Sequence, residues 1–218
     1  MQDRFCLRAI GDKCRTVVSA EPKDGERAAH IGTYCPNCVC ERVSVGRYGS
    51  PGRVRSSERL YSVIIYPTDV QTPGPELMYT FISHAEKNGM SVLREGASDE
   101  EFHATIELRL KGRDDRRFHG IASLLCSDVR RLLAKTRVDG QEVGDRLYCV
   151  LDTDIAGRPH HADIFATVPR KRPNKAVRRL QRNRLMELIR GSLERPDAFR
   201  GGRLVARQPQ TGNTPPTH

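Results

Sequence analysis

Hydrophobic residues in this chain come in short runs, and the spacing of each run predicts a short element. Leu60-Tyr61-Ser62-Val63-Ile64-Ile65-Tyr66 is a β-rich stretch that ends at Pro67, since proline has no N–H to give a ladder. A helix is predicted from about Glu76 to Lys87, closed by Asn88-Gly89, where glycine suits the left-handed residue after a helix end. Met90 to Arg94 reads as a strand. Ser98-Asp99-Glu100-Glu101 has capping-box spacing and competes with the alternation of Phe102, Ala104, Ile106, Leu108 and Leu110, which favours a strand over 103–110. Leu124, Leu125, Val129, Leu132 and Leu133 recur at helical spacing and predict a helix from Ile121 to Ala134, with Cys126 as a core residue. Arg146 to Leu151 and Ala162 to Val168 read as strands on either side of a turn-rich loop. Strands and helices in this order predict an α+β body over residues 60–168, a small mixed sheet with packed helices.

The two ends differ from the body. A helix from about Asn174 to Arg195 carries an apolar stripe, Leu185, Leu188, Ile189 and Leu193, that can dock on the sheet. Its first half carries Lys175, Arg178, Arg179 and Arg182 at i, i+3, i+4 and i+7. Cations in the first turns oppose the helix macrodipole, so a role outside folding is expected for them. Residues 196–218 have the composition of a disordered tail. At the other end, Phe5 to Ile10 and Arg15 to Ser19 read as a hairpin about Gly11-Asp12 within a cysteine module spanning 1–45. Residues 46–59, with Arg47, Arg53, Arg55 and Arg59 among Gly and Ser, read as a basic linker: a solvated tether or a backbone-tracking arm.

Charge sharpens this picture. The net charge of +10 sits unevenly: residues 165–218 hold 13 Lys or Arg against 3 acids, while residues 61–164 are mildly acidic. A basic segment on an acidic body points to a polyanionic partner. Arg170, Lys171, Arg172, Lys175, Arg178, Arg179 and Arg182 are the candidate contacts to a DNA or RNA phosphate backbone. No apolar run approaches the roughly 20 residues that span a bilayer. The opening Met1-Gln2-Asp3-Arg4-Phe5-Cys6 has no apolar signal segment, so no membrane partner and a cytosolic location are expected.

Five of the seven cysteines lie between residues 6 and 40. Cys35-Pro36-Asn37-Cys38 is a C-x2-C turn, and Cys6 and Cys14 flank the turn signal Gly11-Asp12. Four thiolates from a hairpin and a knuckle make a closed tetrahedral Zn2+ site of the structural kind. Cys6, Cys14, Cys35 and Cys38 are the expected ligands; His30 is an alternative, and Cys40 either replaces one sulfur or is idle. A disulfide framework is disfavoured, because the chain is longer than small secreted scaffolds.

Between Asp152 and Asp163 lie Asp154, His160 and His161, a mixture able to move protons or hold a divalent ion. The spacing is diagnostic of no known catalytic site, so the loop is expected to be structural; His119 and Arg94 are the residues that would complete a site there. Three short motifs carry a resemblance over residues 91–164. They are Ser91-Val92-Leu93-Arg94, Gly120-Ile121-Ala122-Ser123-Leu124 with Asp128-Val129-Arg130, and Pro159-His160-His161-Ala162-Asp163-Ile164. This stretch resembles a group of small uncharacterised bacterial proteins, which implies a domain outline and no activity. The layout of a four-cysteine finger on a small basic body is similar to the small Cas8-like subunit of plasmid-borne type IV CRISPR complexes. That similarity implies a subunit of a nucleoprotein complex. The expectation is therefore a zinc-containing nucleic-acid-binding protein. The alternatives are a nucleic-acid-processing enzyme using His160, His161 and Asp163, and a protein-binding zinc adaptor. Metal analysis of the purified protein is expected to find about one equivalent of Zn2+. Metal-free protein with freely reactive N-terminal thiols would end the zinc reading.

Overall fold

A computed structural model describes residues 12–18, 27–34, 36–42, 48–71, 76–138, 141–167, 175–194, 199–200 and 203–204. Residues 12–18 are helical (α1), followed by α2 (Arg27–Tyr34) and a 3-10 turn (Pro36–Arg42). The body runs β1 (Arg59–Tyr66), α3 (Tyr79–Ser83), β2 (Met90–Arg94), α4 (Asp99–Leu110), β3 (Arg117–Leu125) and α5 (Cys126–Arg130). It continues through β4 (Leu133–Val138), β5 (Gln141–Arg146), β6 (Tyr148–Asp152), β7 (His161–Ala166), α6 (Lys175–Gly191) and β8 (Leu193–Glu194). Two further short strands, β9 (Phe199–Arg200) and β10 (Arg203–Leu204), pair with each other. The fold is α+β: a six-stranded sheet in the order β6-β7-β2-β1-β3-β8, antiparallel at every pairing, with β4 and β5 as a separate hairpin.

Strand alternation gives this sheet two faces with different tasks. Leu60 and Ile64 of β1, Met90 and Val92 of β2, Ala122 and Leu124 of β3, and Val150 of β6 join one core with α3, α5 and α6. Their neighbours in sequence face the other way. Tyr61, Leu93 and Ile121 pack on Phe102 of α4, while Cys149, Leu151 and Phe165 pack on Ala28 and Ile31 of α2. The second face is thus covered twice, by α4 and by the N-terminal elements, with a gap between them.

Several elements depart from the sequence expectation. The alternation over 103–110 does not make a strand; α4 is helical throughout, opened by a full capping box in which Ser98 Oγ accepts from Glu101 N–H and Glu101 Oε2 accepts from Ser98 N–H. Satisfying two helix-end donors outweighs the alternating pattern. The helix expected from Ile121 to Ala134 is confined to Cys126–Arg130, because Ile121–Leu125 pairs with β1 and Leu133–Val138 pairs with β5. The helix expected over 76–87 shrinks to Tyr79–Ser83. Arg15 to Val18 is helical and not a strand: Cys14, Val17 and Val18 fall on one helical face against the α2 cluster. The other half of that expected hairpin, Phe5 to Ile10, lies outside the described residues, as does most of the tail over 196–218.

The start of α6 explains part of its charge. Glu86 is buried at 1 % exposure. It receives Arg182 through both Nε, at 2.6 Å, and Nη2, with Arg178 Nη2 at 3.6 Å. These two guanidiniums serve the fold, contrary to the expectation that a role outside folding explains them. Removing one partner of a buried ion pair leaves an uncompensated charge. Arg182→Gln is expected to lower the unfolding free energy by about 3 kcal/mol in urea titrations. A change below about 0.5 kcal/mol, the scale of a surface pair, would show the contact to be incidental.

A candidate catalytic pocket on the second sheet face

The gap between α4 and the N-terminal elements is a cavity of about 630 Å3. Its floor is the start of β2 and of β7. These strands pair antiparallel with Ser91 opposite Asp163 and Leu93 opposite His161, so Ser91, His161 and Asp163 all project from the same face. Gly89, at φ +97°, lets the chain enter β2 there. A Cβ at Gly89 would lie 2.8 Å from Phe165 Cζ and 2.9 Å from Asp163 Cβ.

Ser91 Oγ lies 2.5 Å from His161 Nε2. On the other side of the ring, Nδ1 lies 3.1 Å from both Thr153 Oγ1 and the Thr153 carbonyl oxygen. Thr153 Oγ1 donates its own proton to Asp163 Oδ2 at 2.8 Å, so toward His161 it acts as an acceptor. Two acceptors at Nδ1 place the imidazole proton there, which leaves the Nε2 lone pair for the Ser91 hydroxyl. The Asp163 carboxylate is 4.0 Å from Nδ1 and reaches it through Thr153. The arrangement is a serine, a base in the correct tautomer, and a group orienting the base, with Asp163 fixing that group in turn. His161 is 5 % exposed whereas Ser91 is open to the cavity.

Of the residues singled out in the 152–163 loop, the structure brings His161, Asp163 and Asp154 to the cavity and sends the others elsewhere. His160 turns to α4, where Glu101 accepts from its backbone N–H at 2.9 Å and lies 2.9 Å from its Nδ1. Burial pushes the Glu101 carboxyl up, but hydrogen bonds from His160 and Ser98 outweigh this and hold it below the usual range. Asp152 faces the first core, bound to Ser50 and Arg94. Asp154 accepts from the N–H groups of Tyr48 and Ser50, which anchors the expected linker at that point. Arg94 is structural, and His119 is on β3, separated from β7 by β2 and β1. Ser91 and Thr153 were not singled out as chemical groups by the sequence. The signal for Ser91 was the S-V-x-R motif itself, one of two motifs that meet here.

The cysteines are arranged differently from a four-thiolate site. Cys38 is bonded to Cys149, 111 residues away, so the disfavoured disulfide is present. Cys40 is also disulfide-bonded. Cys14 is a buried free thiol that burial pushes up to about 11, the wrong direction for a metal-binding thiolate. Cys6 and Cys35 lie outside the described residues. The sulfurs of Cys38 and Cys149 share a neighbourhood with the Glu41 carboxylate. That carboxylate already accepts from Arg130, Arg146 and the Val150 N–H.

Of the expected nucleic-acid contacts, Lys175 and Arg179 are exposed on α6, whereas Arg178 and Arg182 are half-buried against Glu86. Arg170, Lys171 and Arg172 lie outside the described residues. No helix among the described residues is long and apolar enough to cross a membrane. Comparison with protein-family models, curated proteins and solved structures finds no match to this chain.

Proposed function

We propose that this chain is an acyl-transfer hydrolase in which Ser91 is the nucleophile and His161 the general base. The observation that carries this reading is the 2.5 Å contact between Ser91 Oγ and a His161 Nε2 whose lone pair is free to accept. In the first step Ser91 Oγ bonds to the carbonyl carbon of an ester or amide, and its proton passes to Nε2. The imidazolium is stabilised at Nδ1 by the Thr153 carbonyl and, through Thr153 Oγ1, by the Asp163 charge. The leaving group takes the proton from Nε2 as the acyl bond to it breaks. Water then attacks the acyl-serine with His161 again as base, releasing the acid and restoring Ser91.

A fluorophosphonate probe tests this directly, because it reacts with an activated serine and expels fluoride. The probe is expected to label Ser91, as read by peptide mass spectrometry. Ser91→Ala should abolish labelling, and His161→Ala should slow it by about 100-fold or more. An unlabelled Ser91 in folded protein would overturn the assignment.

A second reading, nucleic-acid binding, is favoured by the outer face of α6. Lys175, Arg179 and Arg190 are exposed there, and no carboxylate among the described residues pairs with them. In that reading a Zn2+ site at Cys6, Cys14, Cys35 and Cys38 would require reduction of the Cys38–Cys149 bond and deprotonation of the buried Cys14 thiol. Changing Lys175, Arg179 and Arg190 to Gln is expected to flatten the slope of log affinity against log salt by about 2 to 3. An unchanged slope for both DNA and RNA would reduce the face to solvated charge.

A further inference from the structure

Arg158 is the feature of the cavity that the hydrolase reading leaves unused. It lies in a tight turn in which Ile155 and Arg158 exchange backbone hydrogen bonds. Its side chain runs along the cavity wall to α4, where Nη1 donates to Thr105 Oγ1 at 3.2 Å. The residue is half-buried, and no carboxylate among the described residues lies within ion-pair distance of it. The guanidinium that α4 itself brings to the cavity is differently placed: Arg109 is neutralised by Asp69, with Nη2 2.8 Å from Oδ2. Nearby, His84 is held below the ordinary histidine range by burial and by Arg109, so it adds no charge at neutral pH.

A guanidinium withdrawn from water without a counter-ion is costly. Here burial pulls the Arg158 pKa down, and the Asp163 and Glu101 carboxylates, neither at ion-pair distance, offset part of that. The cavity therefore has a place where a negative charge would be stabilised, a few residues along the chain from His161. Apolar walls at Phe81 and Leu108 complete it.

We propose that Arg158 is the specificity residue of this cavity and that the ligand is anionic, its carboxylate or phosphate seated on the Arg158 guanidinium. For the acyl group this rests on the hydrolase reading; the anion site itself does not, and the two fail separately. With an ester substrate, the charged end on Arg158 places the carbonyl toward Ser91, so the same contact that selects the substrate also orients it.

Calorimetric titration of the whole chain with succinate and with inorganic phosphate tests the anion site without requiring turnover. At least one of the two is expected to bind, and which one binds separates a carboxylate from a phosphate ligand. Arg158→Gln should weaken that binding by about tenfold or more. Arg158→Lys, which keeps the charge and loses the fork, should retain part of it. Circular dichroism of both variants checks the fold. Equal affinity in the Gln and parent proteins, or no binding of either anion up to about 10 mM, would overturn the proposal. Hydrolysis of p-nitrophenyl hemisuccinate and p-nitrophenyl butyrate then separates the two readings. An active enzyme should prefer the charged ester, and Arg158→Gln should lose that preference. Anion binding that depends on Arg158, with Ser91 unlabelled by fluorophosphonate, would keep the anion site and remove the hydrolase.

Discussion

A single buried guanidinium holds the β2 end of the sheet together. Arg94 is 2 % exposed, a position that an unpaired charge cannot occupy. Its Nε and Nη2 take the Glu58 carboxylate at 2.9 Å each, and its Nη1 takes Asp152 at 3.2 Å and the Gly52 carbonyl at 2.6 Å. A further bond, from Nη2 to the Arg53 carbonyl, ties in the same segment. Burial pushes the Glu58 carboxyl up, but the Arg94 contacts win and hold it low. Three stretches far apart in sequence converge on this one side chain: the segment before β1, the end of β2 and the end of β6. Each depends on it, because removing the cation would strand two carboxylates in the protein.

The geometry of the candidate site follows from that anchor through the arithmetic of a strand. Arg94 and Ser91 are three residues apart, so they point to opposite faces of β2. Fixing Arg94 in the network on one face therefore fixes Ser91 toward the cavity on the other. The Arg94 backbone contributes too, its N–H bonding the His160 carbonyl at 2.8 Å and setting the register of β2 on β7. A slip of one residue would turn Ser91 into the core and bring Val92 to the histidine. The S-V-x-R spacing thus joins a structural cation to the proposed nucleophile, and the P-x-H-A-x-I strand carries the proposed base on the adjacent ladder.

The sequence made legible those elements whose signal is local. β1, β2 and most of β7 stand near their expected bounds because β-rich composition and Pro67 mark them, and α6 is set by Leu185, Leu188 and Ile189 in the core. Failures came where the deciding partner is distant. Leu124, Val129, Leu132 and Leu133 recur at helical spacing, yet the first of them belongs to a ladder with β1 and the last to a hairpin with β5. Arg178 and Arg182 read as a cationic face because Glu86, which holds them, is about ninety residues earlier in the chain. The catalytic candidates were half visible: His161 and Asp163 stand out by type. Ser91 and Thr153 are ordinary residues until β2 and β6, pairing on either side of β7, set one on each side of the imidazole.

The cysteines are the extreme case of the same limit. Cys35 and Cys38 have the spacing of a metal knuckle, but the partner of Cys38 is in β6, and nothing in the local sequence marks Cys149 for it. The reason for the bond lies in the sheet. β6 is an edge strand, and an edge leaves unpaired N–H and C=O groups that a protein must cover. The 3-10 turn covers this one: the Glu41 carboxylate accepts the Val150 N–H at 2.5 Å, Arg146 and Arg130 neutralise that carboxylate, and the disulfide joins the same turn to the next residue along the edge. Val18 of α1 and Arg27 of α2, in the same N-terminal segment as the cover of the edge, form one wall of the proposed active site. The cysteine-rich segment is then placed by the needs of the sheet edge, and the cavity exists because that cover and α4 close only part of the second face.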